Sequence, residues 1–208
     1  MLRTLRTKVW PRIPTLRIPS TNRITLDREL RRHFCRMEPG RVLDVGSKGA
    51  PYRESIPHTD YLRLDIVRDT SPEICCDVHD FVWDGEPFDS IVALEVLEHL
   101  YAPELAIERL GDALRPGGVC ILSTRFLYRY HPDPEDHYRF TPDSLRYLFR
   151  RFSLVEIHPH GNRLQTIWEM MNAGGRSRVF LNLLNHAAAR LPGRDQRFPL
   201  GFVVYAVR

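Results

Sequence analysis

Short apolar runs of strand length recur along the chain, and stretches with helical spacing of apolar residues separate several of them. The runs that predict strands cover residues 41–46, 61–66, 73–77, 88–94, 118–124 and 152–158. A further β-rich run at 202–207 is predicted to form a final strand at a sheet edge or in a hairpin. This alternation predicts an α/β fold of three layers, in which helices cover both faces of a mostly parallel sheet.

Helix starts and stops fall between these runs. Pro103 predicts a helix that ends before the turn at residues 115–118, and Thr141 followed by Pro142 predicts a second helix. Apolar stripes at 164–171 and 179–191 predict two more helices, which together form a helical insertion at 161–192. Packing against the sheet, a lid over a site and an oligomer contact all stay open for this insertion.

The composition is that of one water-soluble domain. The chain has 208 residues, of which 43% are hydrophobic and 27% are charged, and no run reaches the apolar length of a membrane span. Its four cysteines show no CxxC spacing and no partnering histidine pattern, so neither a disulfide framework nor a metal site is predicted. These features indicate a reduced, cytoplasmic protein.

Residues 1–26 form a basic arm that precedes the domain predicted at 27–208. The arm carries no acidic residue before Asp27, and Pro11, Pro14 and Pro19 prevent a continuous helix. One interpretation is an extended or disordered arm that lies over its own domain. The alternative is peripheral contact with an anionic membrane surface or an anionic substrate.

The first predicted strand runs into an acidic, glycine-bearing turn at residues 42–52. Gly46 and Gly49 would let the main chain approach a ligand closely, while Asp44 disfavours a phosphate and favours a cationic or hydrogen-bond-donating group. Asp65 ends the next strand about 20 residues later, where doubly wound folds place a carboxylate for ribose hydroxyls. S-adenosylmethionine has both a cationic group and ribose hydroxyls. The turn alone could also be a tight strand-to-helix connection that binds nothing.

The chain resembles class I S-adenosylmethionine-dependent methyltransferases, within the small-molecule branch related to ubiquinone and menaquinone biosynthesis. The residues that carry the resemblance occur in the family's order: Val42-Leu43-Asp44-Val45-Gly46, then Asp65, Cys76-Asp77-Val78-His79-Asp80, the run from Phe88 to Leu100, and Leu114-Arg115-Pro116-Gly117-Gly118. The resemblance implies a Rossmann-like, doubly wound sheet with an antiparallel last strand, and S-adenosylmethionine as the cofactor.

The same resemblance assigns cofactor contacts to particular residues. Asp44, Gly46 and Gly49 would line the methionine end, Asp65 would hold the ribose, and Asp77 with Val78 would frame the adenine. Leu94 and Glu95 would face the methionine moiety or the acceptor, and further cofactor contacts are expected from Ser47, Tyr52 and Ile66.

The glycine turn departs from the family's pattern at two positions. Lys48 stands where the family commonly has glycine, and Ala50 where it has glycine or another small residue. Because neither side chain allows glycine's backbone freedom, we expect the turn to follow a variant path that ends in Pro51 and Tyr52. The affinity for the cofactor depends on this difference.

Methyl transfer from a sulfonium requires alignment of the acceptor and, for a hydroxyl, removal of a proton. His99 is a candidate for the proton, although its ring could instead cap or pack the next helix. His137 and Arg139, in a loop rich in aromatic and charged residues, are predicted to touch the acceptor as catalytic residues.

We therefore expect a methyltransferase that acts on a small-molecule, glycan or lipid-linked acceptor, at oxygen. The excess of arginine over acid between residues 157 and 194 favours an anionic acceptor. An RNA or protein methyltransferase is the second interpretation, but the chain shows no aromatic and basic strand platform, so no nucleic-acid partner is expected. The third is a catalytically silent domain kept for binding.

Overall fold

The computed structural model describes residues 19–171, 187–188, 190 and 193–208. They form one seven-stranded sheet with the order β3-β2-β1-β4-β5-β7-β6. Its strands are β1 (Arg41–Val45), β2 (Asp60–Asp65), β3 (Ile74–Cys75), β4 (Phe88–Leu94), β5 (Leu114–Arg125), β6 (Leu154–His160) and β7 (Gly201–Val207). Strands β1 to β5 pair in parallel, whereas β7 pairs antiparallel with both β5 and β6. The predicted Rossmann-like fold is confirmed.

The last strand is not at an edge, so that alternative of the prediction was wrong, whereas its antiparallel pairing with β6 agrees with the hairpin alternative. β7 lies between β5 and β6, so β6 takes the edge. The physical reason is visible in the burial of β7: every residue from Gly201 to Ala206 is buried, because both faces of the strand are covered. A continuous apolar run is typical of an interior strand, whereas an edge strand more often alternates apolar with polar residues.

Within the described residues, four helices flank the sheet: α1 (Thr21–Phe34), α2 (Pro103–Ala113), α3 (Pro142–Leu148) and α4 (Arg163–Met171). The starts of α2 and α3 agree with the predictions, and Thr141 caps α3 by accepting from the amide of Ser144 at 3.2 Å. Helix α1 was not predicted. Ser20 caps it by accepting from the amide of Arg23 at 3.2 Å, and the boundary predicted at residue 26 falls inside it. Residues 1–18 of the arm lie outside the described residues.

Alternate residues of the strands point into two cores, one on each side of the sheet. Val42 and Val92 face α1, where they pack with its fully buried Leu30. Leu43 and Ile91, one position along each strand, face the core beneath α2 and α3. Side chains alternate between the two faces of a strand. This alternation determines which residues at the carboxyl end of each strand point toward α1 and which point toward α2.

Helix α4 packs through polar side chains rather than through its apolar stripe. Gln165, Thr166 and Glu169 are buried, and a Glu169 oxygen accepts from the amide of Asn22 in α1 at 3.3 Å. Leu164 and Met171, from the predicted stripe, are 61% and 77% exposed. The second predicted helix of the insertion lies almost wholly outside the described residues. None of the helices in the described ranges has the length and apolarity that crossing a membrane requires.

Candidate active site

A cleft of about 460 Å³ opens at the carboxyl ends of the parallel strands. It lies where the strand order reverses between β1 and β4, which is the position at which open α/β sheets bind ligands. Strand ends, the glycine turn, helix α1 and the loop after β5 all contribute walls. The lining includes Arg23, Asp44, Gly46, Ser47, Lys48, Tyr52, Asp65, Ile66, Val67, Asp77, Val78, His79, Leu94, Glu95, Val96, His99, Tyr101, Arg125, Asp133 and Glu135.

Gly46 forms the first bend of the glycine turn. Its φ is +64°, and a Cβ built on it would lie 2.7 Å from Cγ2 of Val96. Its amide donates to the carbonyl of Leu64 at 2.7 Å, which ties the turn to β2. Only glycine fits here, because a larger residue would meet both an unfavourable backbone conformation and the Val96 side chain. Main chain is therefore exposed to the cleft at this point.

Lys48 and Ala50 adopt the left-handed conformation, with φ of 52° and 49°. The turn thus takes glycine-like dihedral angles at both positions although neither residue is glycine, and the expected variant path ending in Pro51 and Tyr52 stays a prediction. The cost is about 1–2 kcal/mol per residue. The ammonium group of Lys48 pairs with Asp133 at the rim, where both side chains are more than half exposed, so it does not fill the interior of the cleft.

Asp65 holds the turn in place from the end of β2. Its two carboxylate oxygens accept from the amides of Lys48 and Val67, each at 2.9 Å, and the residue is 4% exposed. Asp77 is held in a similar way, since its Oδ1 accepts from the amide of His79 at 2.9 Å and contacts Nδ1 of the same residue at 2.5 Å. Both carboxylates retain lone pairs for hydroxyl or amino groups of a ligand.

Asp44 lies on the α1 side of the sheet and is 3% exposed. The hydroxyl of Tyr61 donates to its Oδ2. Burial raises the pKa of Asp44 to about 6, although the bond from Tyr61 acts in the opposite direction. A cationic group placed beside this carboxylate would therefore be bound more tightly once Asp44 is ionised.

Part of the cleft wall is exposed apolar surface. Ile66 and Tyr101 are 57% and 58% exposed, and the Tyr101 ring stacks on His79 with ring centres 3.9 Å apart. On the opposite side, Arg23 of α1 lies over the ring of Tyr52 at 4.6 Å. Flat apolar surface beside buried carboxylates suits a ligand with an aromatic base, hydroxyl groups and a cationic end. The residues of the cleft therefore fit S-adenosylmethionine, the cofactor that the sequence predicts.

Glu95, at the end of β4, has a left-handed φ of 58°. Its carboxylate accepts from the hydroxyl of Ser123 at 3.1 Å and pairs with Nε of Arg125. A non-glycine residue in this conformation stores strain, which is common at functional sites. The result is that Glu95 and Arg125 together form the floor of the cleft.

Glu98 is fully buried directly behind this floor. Its Oε2 accepts from the hydroxyl of Thr124 at 2.9 Å, whereas Oε1 has no hydrogen-bond partner among the described residues. Burial and the nearby Glu95 carboxylate raise the pKa of Glu98 to about 8. A buried carboxyl with one unpartnered oxygen requires an explanation.

His99 lines the cleft, and its ring orientation is fixed. Nδ1 lies 2.5 Å from the carbonyl oxygen of Glu135, which can only accept, so Nδ1 carries the proton and Nε2 has the lone pair. His79 also lines the cleft, but both of its ring nitrogens are bonded, to Asp77 and to the amide of Ala102. His99 is thus an imidazole with a nitrogen still available on this side of the cleft.

His137 and Arg139 do not line the cleft. Nε2 of His137 pairs with Glu135 at 2.8 Å, and its amide donates to the carbonyl of Glu98 at 2.8 Å. Arg139 makes a two-pronged ion pair with the buried carboxylate of Asp136. In this arrangement both residues support the loop that forms the cleft rim, and their predicted contact with the acceptor stays a prediction.

Most of the predicted cofactor residues meet in this one cleft, and Gly49 is the exception. A Cβ on Gly49 would have no neighbour within 4 Å, so this residue faces outward. The sequence did not identify Arg23, Tyr101 or Arg125 as site residues. Ser20 followed by a helical pattern could have identified α1 and with it Arg23. The other two depend on how the chain folds back across the sheet edge, for which the sequence has no local signal.

Comparison with known families gives a match over most of the chain. The family model described as a methyltransferase domain matches residues 22–158. A ubiquinone biosynthesis O-methyltransferase from Dinoroseobacter shibae is 27% identical over 41% of this chain and 43% of its own length. The chain thus matches less than half the length of this curated relative.

Solved structures share the fold at low sequence identity. A SAM-dependent methyltransferase from Archaeoglobus fulgidus superposes with a TM-score of 0.61 and 14% identity, over 88% of this chain and 93% of the other. A 1,6-didemethyltoxoflavin-N1-methyltransferase from Burkholderia thailandensis, solved with S-adenosylhomocysteine, superposes with a TM-score of 0.55 and 16% identity, over 89% and 77%. These similarities establish the architecture.

Proposed function

The chain belongs to the class I S-adenosylmethionine-dependent methyltransferases, and on this premise we propose that it methylates a hydroxyl group of a small-molecule, glycan or lipid-linked acceptor. S-adenosylmethionine, when bound, supplies an activated methyl group on a sulfonium. The observation that carries the proposal is the convergence of Asp44, Gly46, Asp65 and Asp77 on one cleft, with His99 on its lining.

The strand ends would hold the cofactor by complementary chemistry. Asp44 offers a buried carboxylate to the cationic amino-acid end, and Gly46 lets that end lie against the main chain. Asp65 and Asp77 have lone pairs for ribose and adenine donors, while Ile66 offers an apolar face to the base. Because the turn is held by hydrogen bonds in the free protein, binding requires little ordering.

Oxygen is favoured as the methylated atom because a hydroxyl must lose its proton as the methyl group moves. Nε2 of His99 can accept that proton, since Nδ1 is fixed on the carbonyl of Glu135. The distant similarity to an O-methyltransferase also supports oxygen. The predicted anionic character of the acceptor gains no support from the cleft, because Arg23, Lys48 and Arg125 are each paired with a carboxylate.

A methyl-transfer assay tests this proposal. The protein is incubated with S-adenosylmethionine carrying a radiolabelled methyl group and with phenols, sugars and polyprenyl-phosphate-linked sugars, alongside amine analogues of the same compounds. We expect label only in hydroxyl acceptors. Asp65→Asn should remove transfer, and Asp143→Asn, at a side chain that is 92% exposed on α3, should not. Transfer to amines, or equal transfer by Asp65→Asn, would overturn the proposal.

A further inference from the structure

Glu98, His99 and His131 form a compact cluster beside the cleft. A carboxylate oxygen of Glu98 and one nitrogen of each histidine all lie within 4.8 Å of one another. Glu98 and His99 follow β4, whereas His131 comes from the loop after β5, so the fold brings together residues that are far apart in sequence. The spacing of the cysteines predicted no metal site. Cysteine spacing, however, does not test a cluster made of glutamate and histidine side chains.

Both histidines are oriented as metal ligands usually are. Nδ1 of His99 donates to the carbonyl of Glu135, and Nδ1 of His131 faces the carbonyl of Arg129 and the carboxylate of Asp136, each at 3.2 Å. In each ring this leaves the lone pair on Nε2. Histidines that bind metals typically donate the other ring N–H to a carbonyl or carboxylate in this way.

The third ligand is the unpartnered oxygen of Glu98. Oε1 lies 3.8 Å from Nε2 of His131 and 3.9 Å from Nε of Arg125, both too far for a hydrogen bond. Oε2 is already bonded to Thr124, which fixes the carboxylate with Oε1 on the cluster side. An ion at this point would give the buried oxygen the partner that it lacks.

The acidic side chains beside the cluster also favour a cation. Glu95 and Glu98 both lie near the guanidinium of Arg125, whose Nε pairs with Glu95 and lies 3.9 Å from Oε1 of Glu98.

A second cluster of the same residue types provides a contrast. Glu29, His33 and His158 also place three possible ligand atoms together. There, however, the guanidinium groups of Arg32 and Arg194 already contact Oε2 of Glu29, at 2.9 and 2.8 Å. These arginines satisfy the carboxylate and would repel a metal ion, so we assign this cluster a structural role.

We propose that Glu98, His99 and His131 bind one divalent transition-metal ion beside the cleft. Two imidazoles and one carboxylate leave coordination positions open, as in sites that bind Zn²⁺, Mn²⁺ or Fe²⁺. One further step rests on the proposed function: the acceptor's hydroxyl would occupy an open position, where the ion lowers its pKa and its proton passes to water in the open cleft. The oxygen would then take the methyl group as the bond from that group to the sulfonium breaks and S-adenosylhomocysteine forms. His99 would then serve as a ligand and not as the base.

Metal titration tests the site without any assay of activity. Protein stripped with a chelator is titrated with Zn²⁺ and with Mn²⁺ by calorimetry, and with Co²⁺ by visible absorption. We expect one ion per chain for the wild type. Glu98→Gln, which keeps the bond to Thr124, and His131→Ala should each weaken binding at least tenfold. His158→Ala, in the contrasting cluster, should bind as the wild type does.

Two outcomes would overturn the metal site: no binding of any of the three ions, or unchanged binding by Glu98→Gln and His131→Ala. Calorimetry with S-adenosylhomocysteine on the same samples distinguishes this failure from failure of the proposed function, because that ligand should bind all variants with wild-type affinity. If metal binds but chelation leaves methyl transfer unchanged, the role assigned to the ion in the reaction is wrong.

Discussion

At the scale of single residues, two glycines of the same turn have different tasks. Gly46 has a φ of +64° and faces Val96, so any side chain meets both backbone strain and a steric clash. Gly49, three positions later, has open space around its Cα and no left-handed φ. The sequence shows two similar glycines, and the structure shows that only the first is required by the fold of the turn.

This difference predicts unequal effects of alanine. Gly46→Ala should lower the free energy of unfolding by about 2–4 kcal/mol, from left-handed strain and overpacking against Val96. It should also weaken S-adenosylmethionine binding. Gly49→Ala is the matched control and should change the free energy of unfolding by less than about 0.5 kcal/mol. Urea denaturation measures both, and equal losses for the two variants would show that the turn is described wrongly.

Asp44 couples pH to both stability and binding. Burial raises its pKa in the folded chain from 3.8 to about 6, so protonation favours the fold. The difference corresponds to about 3 kcal/mol, which is fully present below about pH 4 and lost as the pH rises through about 6. A cofactor with a cationic end reverses this preference, because it binds the ionised carboxylate.

We therefore predict that affinity for S-adenosylmethionine falls about tenfold between pH 7 and pH 5, since each unit below the pKa of Asp44 reduces the ionised fraction about tenfold. Calorimetry at pH 5, 6 and 7 measures this. Asp44→Asn should bind more weakly at pH 7 and with little pH dependence. The same pH dependence in the wild type and in Asp44→Asn would exclude Asp44 as its source.

At the scale of elements, the loop after β5 depends on one carboxylate. Asp136, whose side chain is 1% exposed, accepts from the amide of His131 at 2.8 Å and binds the guanidinium of Arg139. The hydrogen bonds from Arg139 hold the pKa of Asp136 well below its usual range. By these contacts Asp136 positions His131 and the rim residue Glu135.

Removing this carboxylate should loosen the loop. We predict that Asp136→Ala increases the rate of tryptic cleavage at Arg129 or Arg139 at least tenfold, because the half-buried guanidinium of Arg139 loses its carboxylate partner and the amide of His131 loses its acceptor. Asp133→Ala removes only the exposed pair with Lys48 and should cleave as the wild type does. Cleavage products identified by mass spectrometry provide the measurement, and equal rates for the two variants would contradict this role.

The elements also show how far the sequence predicts structure. The sequence predicts strands β1, β2 and β4 and the starts of α2 and α3. The spacing of apolar residues and the helix-capping residues are local signals, so they can be identified without knowledge of the tertiary structure. The position of β7 was not, since a buried apolar run is compatible with several places in a sheet. Helix α1 was missed because the basic residues before Asp27 concealed an apolar face built on Leu26, Leu30 and Phe34.

At the scale of the whole molecule, the parallel strands bring separate acidic positions to one edge. Asp44, Asp65 and Asp77 could be predicted to meet because carboxyl ends of neighbouring parallel strands lie together. The contributions of Arg23 and Tyr101 could not be predicted, because they depend on the long-range packing of a helix and a loop. The cluster of Glu98, His99 and His131 was unpredictable for the same reason.

The central claim is that these strand ends bind the adenosyl cofactor, and a crystal structure with S-adenosylhomocysteine tests it most directly. We expect ribose hydroxyls within hydrogen-bond distance of Asp65, adenine beside Asp77 and Val78, and the amino-acid end against Gly46. Density for the ligand at another place, or a ligand in the cleft that contacts neither Asp65 nor Gly46, would contradict the account.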